Sequence, residues 1–321
     1  MIKVGIIGGA GYTSGELIRI LINHPEAELK SVVSKSHFGK KIYEAHSDLI
    51  GETELVFDEE LNSEVDLVFL CSGHGKSKGI VESDMIPKKA KVIDLSSDFR
   101  LANRDHEFVY GLPELNRDQI KEASKVANPG CFATCIQLCL LPLASQGLLN
   151  EDVHISAITG STGAGQNPTA TTHFSWRSNN ASVYKAFTHQ HLGEITQSVM
   201  QLQNGFDRSI NFIPFRGAFT RGILAACYLK TELSLDKAKA LFQKYYKEHP
   251  FVHISDNSVD IKQVVNSNKA ILHLEKEGDQ LLITGVIDNL VKGASGQVVQ
   301  NMNLMFGLEE TTGLTLKTSG F

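Results

Sequence analysis

Cys131 stands in the run Asn128-Pro-Gly-Cys131-Phe-Ala-Thr134, where proline and glycine enforce a sharp turn and an apolar helical pattern begins at once. A thiol at a helix start faces backbone N–H groups that stabilise its thiolate and lower the ordinary cysteine pKa of about 8.5 by one or more units. The same groups can hold an oxyanion formed beside the sulfur. Nucleophilic catalysis needs both, although the commoner fate of a cysteine is to fill a core. Cys135 and Cys139 lie one and two helical turns deeper and read as core. Zinc ligands come as CxxC pairs or with histidines nearby, so this every-fourth spacing predicts no metal site.

A thioester-forming thiol needs a proton-transfer partner, and imidazole suits neutral pH. Of the 12 histidines, His189 and His191 stand out in Thr188-His-Gln-His-Leu-Gly-Glu194, at alternate positions close to a carboxylate. No third metal ligand accompanies them, so acid–base work is the better reading. The loop Gly160-Ser-Thr-Gly163-Ala-Gly165 offers a second set of backbone donors, for a phosphate or a nicotinamide. Arg100, Arg221 and the hydroxyls of Ser161 and Thr162 are candidate ligands for a phosphate or a substrate carboxylate.

These groups need elements to hold them. The first strand pattern, 4–7, runs into Gly8-Gly-Ala-Gly11-Tyr-Thr-Ser-Gly15 and then a helix with Leu17, Ile18, Leu21 and Ile22 on its apolar side. Such a turn sets N–H groups and a positive helix end against a pyrophosphate. The spacing departs from the strict G-x-G-x-x-G; the position, at the start of a βα series, carries the reading. An NAD site presents an acidic residue about 20 positions beyond the glycines. Here the chain reads Val33-Ser-Lys-Ser36, a hydroxyl and a cation that suit the 2′-phosphate of NADP. The expected cofactor contacts in this half are Gly8, Ala10, Gly11, Tyr12, Thr13 and Ser14, then Ser34 and Lys35, then Ser72 and Gly73 after the third strand.

Further strand patterns at 29–34, 66–71, 91–95 and 125–127 alternate with helical ones at 15–22, 76–83 and 117–123, which predicts a parallel sheet with right-handed crossovers. The second half has strand patterns at 155–161, 210–215 and 223–229 and a hairpin pattern over 270–275 and 281–287. Helical patterns cover 234–249, with Ser234 as N-cap and Pro250 as terminator, and 295–305. The fold class is therefore α/β, a Rossmann-type doubly wound parallel sheet plus an α+β catalytic domain with a mixed sheet. At 321 residues, two domains are expected. A net charge of −5 leaves no basic footprint for nucleic acid, and no apolar run approaches the 18 to 20 residues of a membrane span. Five cysteines in a chain this long predict no disulfide framework, and a strand pattern starting next to Met1 predicts no signal peptide, hence the cytoplasm.

Together the motifs resemble one family, the N-acetyl-γ-glutamyl-phosphate reductases of arginine biosynthesis. The resemblance rests on Gly11-Tyr-Thr-Ser-Gly-Glu-Leu17, Asp94-Leu-Ser-Ser-Asp-Phe-Arg100, Tyr110-Gly-Leu-Pro-Glu114, Asn128-Pro-Gly-Cys131, the His189/His191 segment, Asn289-Leu-Val-Lys-Gly-Ala-Ser-Gly-Gln297 and Thr311-Thr-Gly-Leu314. It implies an NADP(H)-binding domain of residues 1–130 with 292–321, and a catalytic and oligomerisation domain of 131–291 like that of glyceraldehyde-3-phosphate and aspartate-semialdehyde dehydrogenases. It implies NADPH-dependent reduction of an acyl phosphate to its semialdehyde, and a homo-oligomer, commonly a tetramer. Cys131 takes the nucleophile's place. The acid–base histidine falls in the pair, His189 favoured and His191 open, and Gly163, Ala164 and Asn289 look like nicotinamide-side contacts.

The chain departs from the family pattern in three places. Phe132-Ala133 follows the thiol where Tyr-Pro is common, Gln190 stands where Arg is frequent, and Pro214-Phe-Arg-Gly-Ala-Phe219 replaces Pro-His-Leu-x-Pro-Met. These leave the chemistry intact and open the acyl group, with an N-succinyl substrate as the alternative to N-acetyl. Aspartyl and aminoadipyl phosphates are further alternatives. So is a non-catalytic dinucleotide sensor, against which the thiol, the histidine pair and the second glycine loop argue.

Overall fold

Strands too apolar to face water on either side build the sheet of the first half. The computed structural model describes residues 1–102 and 106–320. It divides into two units, 1–129 with 294–315 and 130–293 with 316–321. In the first unit β1 (Ile2–Ile7), α1 (Tyr12–Leu21), β2 (Ala27–Val33), β3 (Leu67–Leu70), α2 (Ser77–Val81), β4 (Lys91–Asp94), β5 (Val109–Tyr110), α3 (Pro113–Glu122) and β6 (Lys125–Ala127) follow in order. The sheet runs β2-β1-β3-β4-β6-β5, and every pairing is parallel. Leu67, Val68, Phe69 and Leu70 have no exposed surface, as a parallel strand covered on both faces requires. Ile7 at the end of β1 pairs with Val33 on one side and Leu70 on the other. Because β2 and β3 flank β1, successive crossovers leave in opposite directions and open a crevice at its carboxyl end.

The second unit holds α4 (Cys131–Ala144), β7 (Val153–Thr159), α5 (Phe174–Arg177), β8 (Ser182–Val183), α6 (His191–Leu202), β9 (Ile210–Arg216), β10 (Ile223–Lys230), α7 (Leu235–Tyr246), β11 (Val252–Ser255), β12 (Ala270–Glu277) and β13 (Gln280–Ile287). Its sheet, β11-β12-β13-β10-β7-β9-β8, is mixed: β7–β9 and β11–β12 are parallel, the other pairs antiparallel. Strand alternation sorts the faces. Val153, Ile155 and Ala157 of β7 and Ile223, Ala225, Cys227 and Leu229 of β10 join one buried cluster with α4, the helix that opens on the thiol.

β5 and β8 have two residues each, too few for a periodicity to show in the sequence, and α6 is a helix that the sequence patterns above do not predict. Residues 292 and 293 group with the second unit, as do 316–321, where the sequence placed 292–321 in the first. Among the described residues, Leu314 is the last buried apolar side chain of the tail. The last helix, Gly296–Met305, is entered through a π-helical turn, Val291–Ser295. No helix among the described residues is long and apolar enough to cross a membrane.

Candidate active site

In the first unit, β1 delivers the chain into the glycine turn. Gly8 has φ +92°, and a Cβ there would lie 2.7 Å from the main chain of Cys71 and Ser72, so only glycine fits. A Cβ on Gly15 would lie 2.6 Å from His46 Nδ1, and His46 Nε2–H donates to the Gly9 carbonyl at 2.7 Å. Gly11 is different. It caps α1 with no side-chain hydrogen bond, and its missing Cβ faces open space up to Ser14 Oγ at 3.8 Å. The first turn of α1 therefore has N–H groups that no side chain caps. Ser14 donates to the Gly11 carbonyl and Ser295 to that of Thr13, which fixes the turn; Tyr12 is exposed.

Beyond β2, Ser34 is buried and Lys35 exposed, with Ser34 Oγ 3.4 Å from Ser36 Oγ. Asp58 pairs with the edge of β2, but its carboxylate is taken up by Ser31 Oγ at 2.7 Å and Val32 N at 3.0 Å. Gly73, after β3, has φ +86°, and Ser72 Oγ donates to the Ile7 carbonyl. Arg100 is buried and spends Nε on the Asn128 carbonyl and Nη2 on that of Leu95, both at 2.9 Å, so it braces the chain three residues ahead of the thiol.

In the second unit, Cys131 is the first residue of α4 and the only one of that helix not buried. Its neighbours are close on both sides. A Cβ on Gly130 would meet the His191 ring, with Cε1 at 2.6 Å, and one on Gly293 would lie 2.8 Å from Cys131 Cβ. The π-helical turn makes the second approach, closed by Gly293 N–H to the Asp288 carbonyl at 2.9 Å. Glu194, buried in α6, accepts the Gly130 N–H at 2.8 Å on one oxygen and stands 3.9 Å from His191 Nε2 with the other. Cys135 and Cys139 are wholly buried, and desolvation pushes the Cys135 thiol well up.

His189 and His191 have ring centroids 4.5 Å apart. The His191 main-chain N–H donates to His189 Nδ1 at 3.2 Å, so the neutral His189 ring carries its proton on Nε2. Burial, then the positive charges of Lys185 and Arg216, bring the His189 pKa down to about 4. Phe132, Tyr184 and Phe212 surround that ring at centroid distances of 5.4 to 5.7 Å.

The second glycine loop folds as a short 3-10 turn, Ser161–Ala164. Thr162 is committed: its N–H and hydroxyl both donate to the Thr220 carbonyl, and its oxygen accepts from Asn289 Nδ2 at 3.0 Å. Asn289 Oδ1 in turn takes the Gly222 N–H at 2.7 Å. Ser161 is half-buried, and Gly163 and Ala164 end the turn with Asn289 Nδ2 4.0 Å from the Cβ that Gly163 lacks. Arg221 pairs with buried Asp288, which also accepts from the main-chain N–H groups of Asn266, Leu290 and Val291.

The structure thus gathers Cys131, His189 and His191, and gives Arg221 and Thr162 partners within the protein. It adds Glu194, Tyr184 and Arg216, which sequence reasoning did not name as site residues. Only Glu194 had a local signal, three residues beyond His191 on one turn of helix.

Two family models match the chain: a semialdehyde dehydrogenase NAD-binding domain over residues 3–123, and a semialdehyde dehydrogenase dimerisation domain over 131–289. The curated N-acetyl-gamma-glutamyl-phosphate reductases of Bacteroides fragilis and Flavobacterium johnsoniae are 60% and 56% identical, each over the full length of both chains. Among solved structures, aspartate semialdehyde dehydrogenase II of Vibrio cholerae, complexed with ASA, covers 96% of this chain and 98% of its own at TM-score 0.72 and 15% identity. The aspartate semialdehyde dehydrogenase of Candida albicans with NADP covers 95% and 98% at TM-score 0.72 and 14% identity. At such identities these two speak for the fold alone.

Proposed function

The chain belongs to the N-acetyl-gamma-glutamyl-phosphate reductase family, and from that premise we propose that it makes N-acetylglutamate semialdehyde from the acyl phosphate through a thioester on Cys131. It is an oxidoreductase of arginine biosynthesis that uses a nicotinamide dinucleotide. The observation that carries the covalent reading is Cys131 itself: the one accessible residue of a buried helix, at its N-terminus, with an imidazole and a carboxylate packed on the preceding glycine.

In this mechanism the Cys131 sulfur attacks the acyl carbon, the C–O bond to phosphate breaks, and the thiol proton leaves with the phosphate. The N–H groups of the first turn of α4 hold the oxyanion of each tetrahedral state. The dinucleotide, when bound, supplies the hydride that takes the thioester to the aldehyde level. The C–S bond then breaks and a proton returns to sulfur. His191 handles both protons in this reading, because Glu194 stands ready to support its imidazolium. His189, held near pKa 4, is a poor base at neutral pH and orients its neighbour through Nδ1.

The open first turn of α1, the positive-φ glycines Gly8 and Gly73 and the exposed Lys35 fit a dinucleotide. With Asp58 turned onto β2, the pairing of Ser34 and Lys35 supports NADP(H) over NAD(H). Gly163, Ala164 and Asn289 are the proposed nicotinamide-side contacts, and Ser161 a substrate contact. The enzyme is proposed to work in the cytoplasm as a homo-oligomer built through the second unit, whose matching family model is described as a dimerisation domain.

The test is phosphate-dependent reduction of NADP⁺ by N-acetylglutamate semialdehyde. Wild type turns over, and Cys131→Ser loses about a thousandfold or more while still binding NADPH by fluorescence. Near-normal turnover by that variant would sink the thioester.

A further inference from the structure

Arg216 ends β9 on the same side of the strand as Phe212 and Pro214, since strand residues alternate faces. Phe212 packs edge-on against Phe132, the residue after the thiol, at 5.3 Å and against His189 at 5.4 Å. Arg216 therefore emerges on the face that carries the nucleophile. Its guanidinium lies over the Tyr184 ring at 4.7 Å, and Tyr184 in turn touches His189 at 5.7 Å. Burial first, and then the charge of Cys131, raise the Tyr184 hydroxyl to about 12, with the charge of Arg216 and its hydrogen bond opposing them.

Arg216 hydrogen-bonds the Tyr184 side chain, but its charge is not neutralised. Its Nε is buried without a hydrogen-bond partner, and among the described residues no carboxylate pairs with it. A second guanidinium adds to the imbalance. Arg177 is buried, donates to the Arg216 carbonyl at 2.7 Å, and spends its other N–H groups on Thr171, Asn180 and Ser182. A half-buried cation with an orphan donor costs free energy unless an anion completes it. Arg221, by comparison, is already neutralised by Asp288.

We propose that Arg216 is a substrate-binding residue that grips a carboxylate of the acyl-phosphate substrate while the acyl carbon sits at Cys131. The inference rests on the function proposed above and names the group that the segment 214–219 reads. Two carboxylates qualify: the α-carboxylate of the glutamyl part, common to all its N-acyl forms, and a terminal carboxylate on an acyl group such as succinyl.

Two measurements on wild type, Arg216→Gln and Arg216→Lys test it. The first is the ratio of Cys131 alkylation by iodoacetate to that by iodoacetamide, with Cys131→Ser as blank. A guanidinium that collects carboxylates beside the sulfur favours iodoacetate, so the ratio falls in Arg216→Gln and partly returns in Arg216→Lys. The second is kcat/KM for N-acetyl- and N-succinylglutamate semialdehyde, expected to fall about 10- to 100-fold in Arg216→Gln, chiefly through the KM of the semialdehyde. Equal losses assign the α-carboxylate; loss confined to the N-succinyl compound assigns the acyl carboxylate.

The proposal is overturned if the semialdehyde KM does not move, whatever the ratio does, or if the loss appears in the KM for inorganic phosphate. If wild type reduces NADP⁺ with neither semialdehyde, it is the substrate assignment above that fails. The alkylation ratio then decides the role of Arg216 alone, an unchanged ratio overturning it.

Discussion

His189 is hemmed in by Phe132, Tyr184 and Phe212 and faces Lys185 and Arg216, whereas His191 lies two residues on against Gly130 with Glu194 beside it. The two imidazoles are thereby given different work. His191→Gln should lower kcat about 100- to 10,000-fold, the range of a lost general acid–base group. His189→Gln should lower it far less and leave the pH dependence of kcat/KM in place. Rate–pH profiles of both variants check this; equal losses with the same change of profile would reject the division. Cys131 was legible because a helix start is a local event written in Asn128-Pro-Gly130. Tyr184 and Arg216 were not, because they meet only through the pairing of β8 with β9, where Ser182 lies opposite Arg216.

At the scale of elements, α4 must be both the floor of the site and part of the core, and it carries Pro142 in its interior. Proline has no N–H to give the carbonyl one turn back, that of Leu138. The Tyr246 hydroxyl of α7 donates to that carbonyl at 2.6 Å, so the deficit is met from another helix. Tyr246→Phe should therefore destabilise the fold by about 1 to 3 kcal/mol while kcat holds, because a buried acceptor is left unpaired far along the helix from the thiol. Chemical denaturation of the variant reads this, and an unchanged midpoint would refute it. The helix was legible from its apolar run; its repair by Tyr246 was not, since no local spacing links the two.

For the molecule as a whole, acid is the expected weak point. Burial lowers the pKa of His24 and His189 below 6.5, that of His189 to about 4. The unfolded chain then binds more protons than the native one between those values, so stability is full above pH 6.5 and falls as pH drops toward 4. Asp94, whose pKa is raised chiefly by burial, takes up its proton at a higher pH in the fold than in the unfolded chain and so offsets part of the loss. Urea midpoints at pH 7 and pH 5 check the sign: the lower pH should unfold first. A midpoint that rises at pH 5 would show that carboxylates such as Asp94 dominate.

By itself the sequence determined what depends on neighbours along the chain: the apolar parallel strands, the first glycine turn, the thiol at a helix start and the paired histidines. Each is set by backbone sterics or by periodicity within a few residues. Tertiary structure alone decided which charges are spent and which remain. Arg100 and Arg221 look as free in the sequence as Arg216, but the fold brings main-chain carbonyls to the first and Asp288 to the second. Ionic pairing acts through space, between residues that only strand pairing and packing bring together, and so leaves no spacing in the sequence to read.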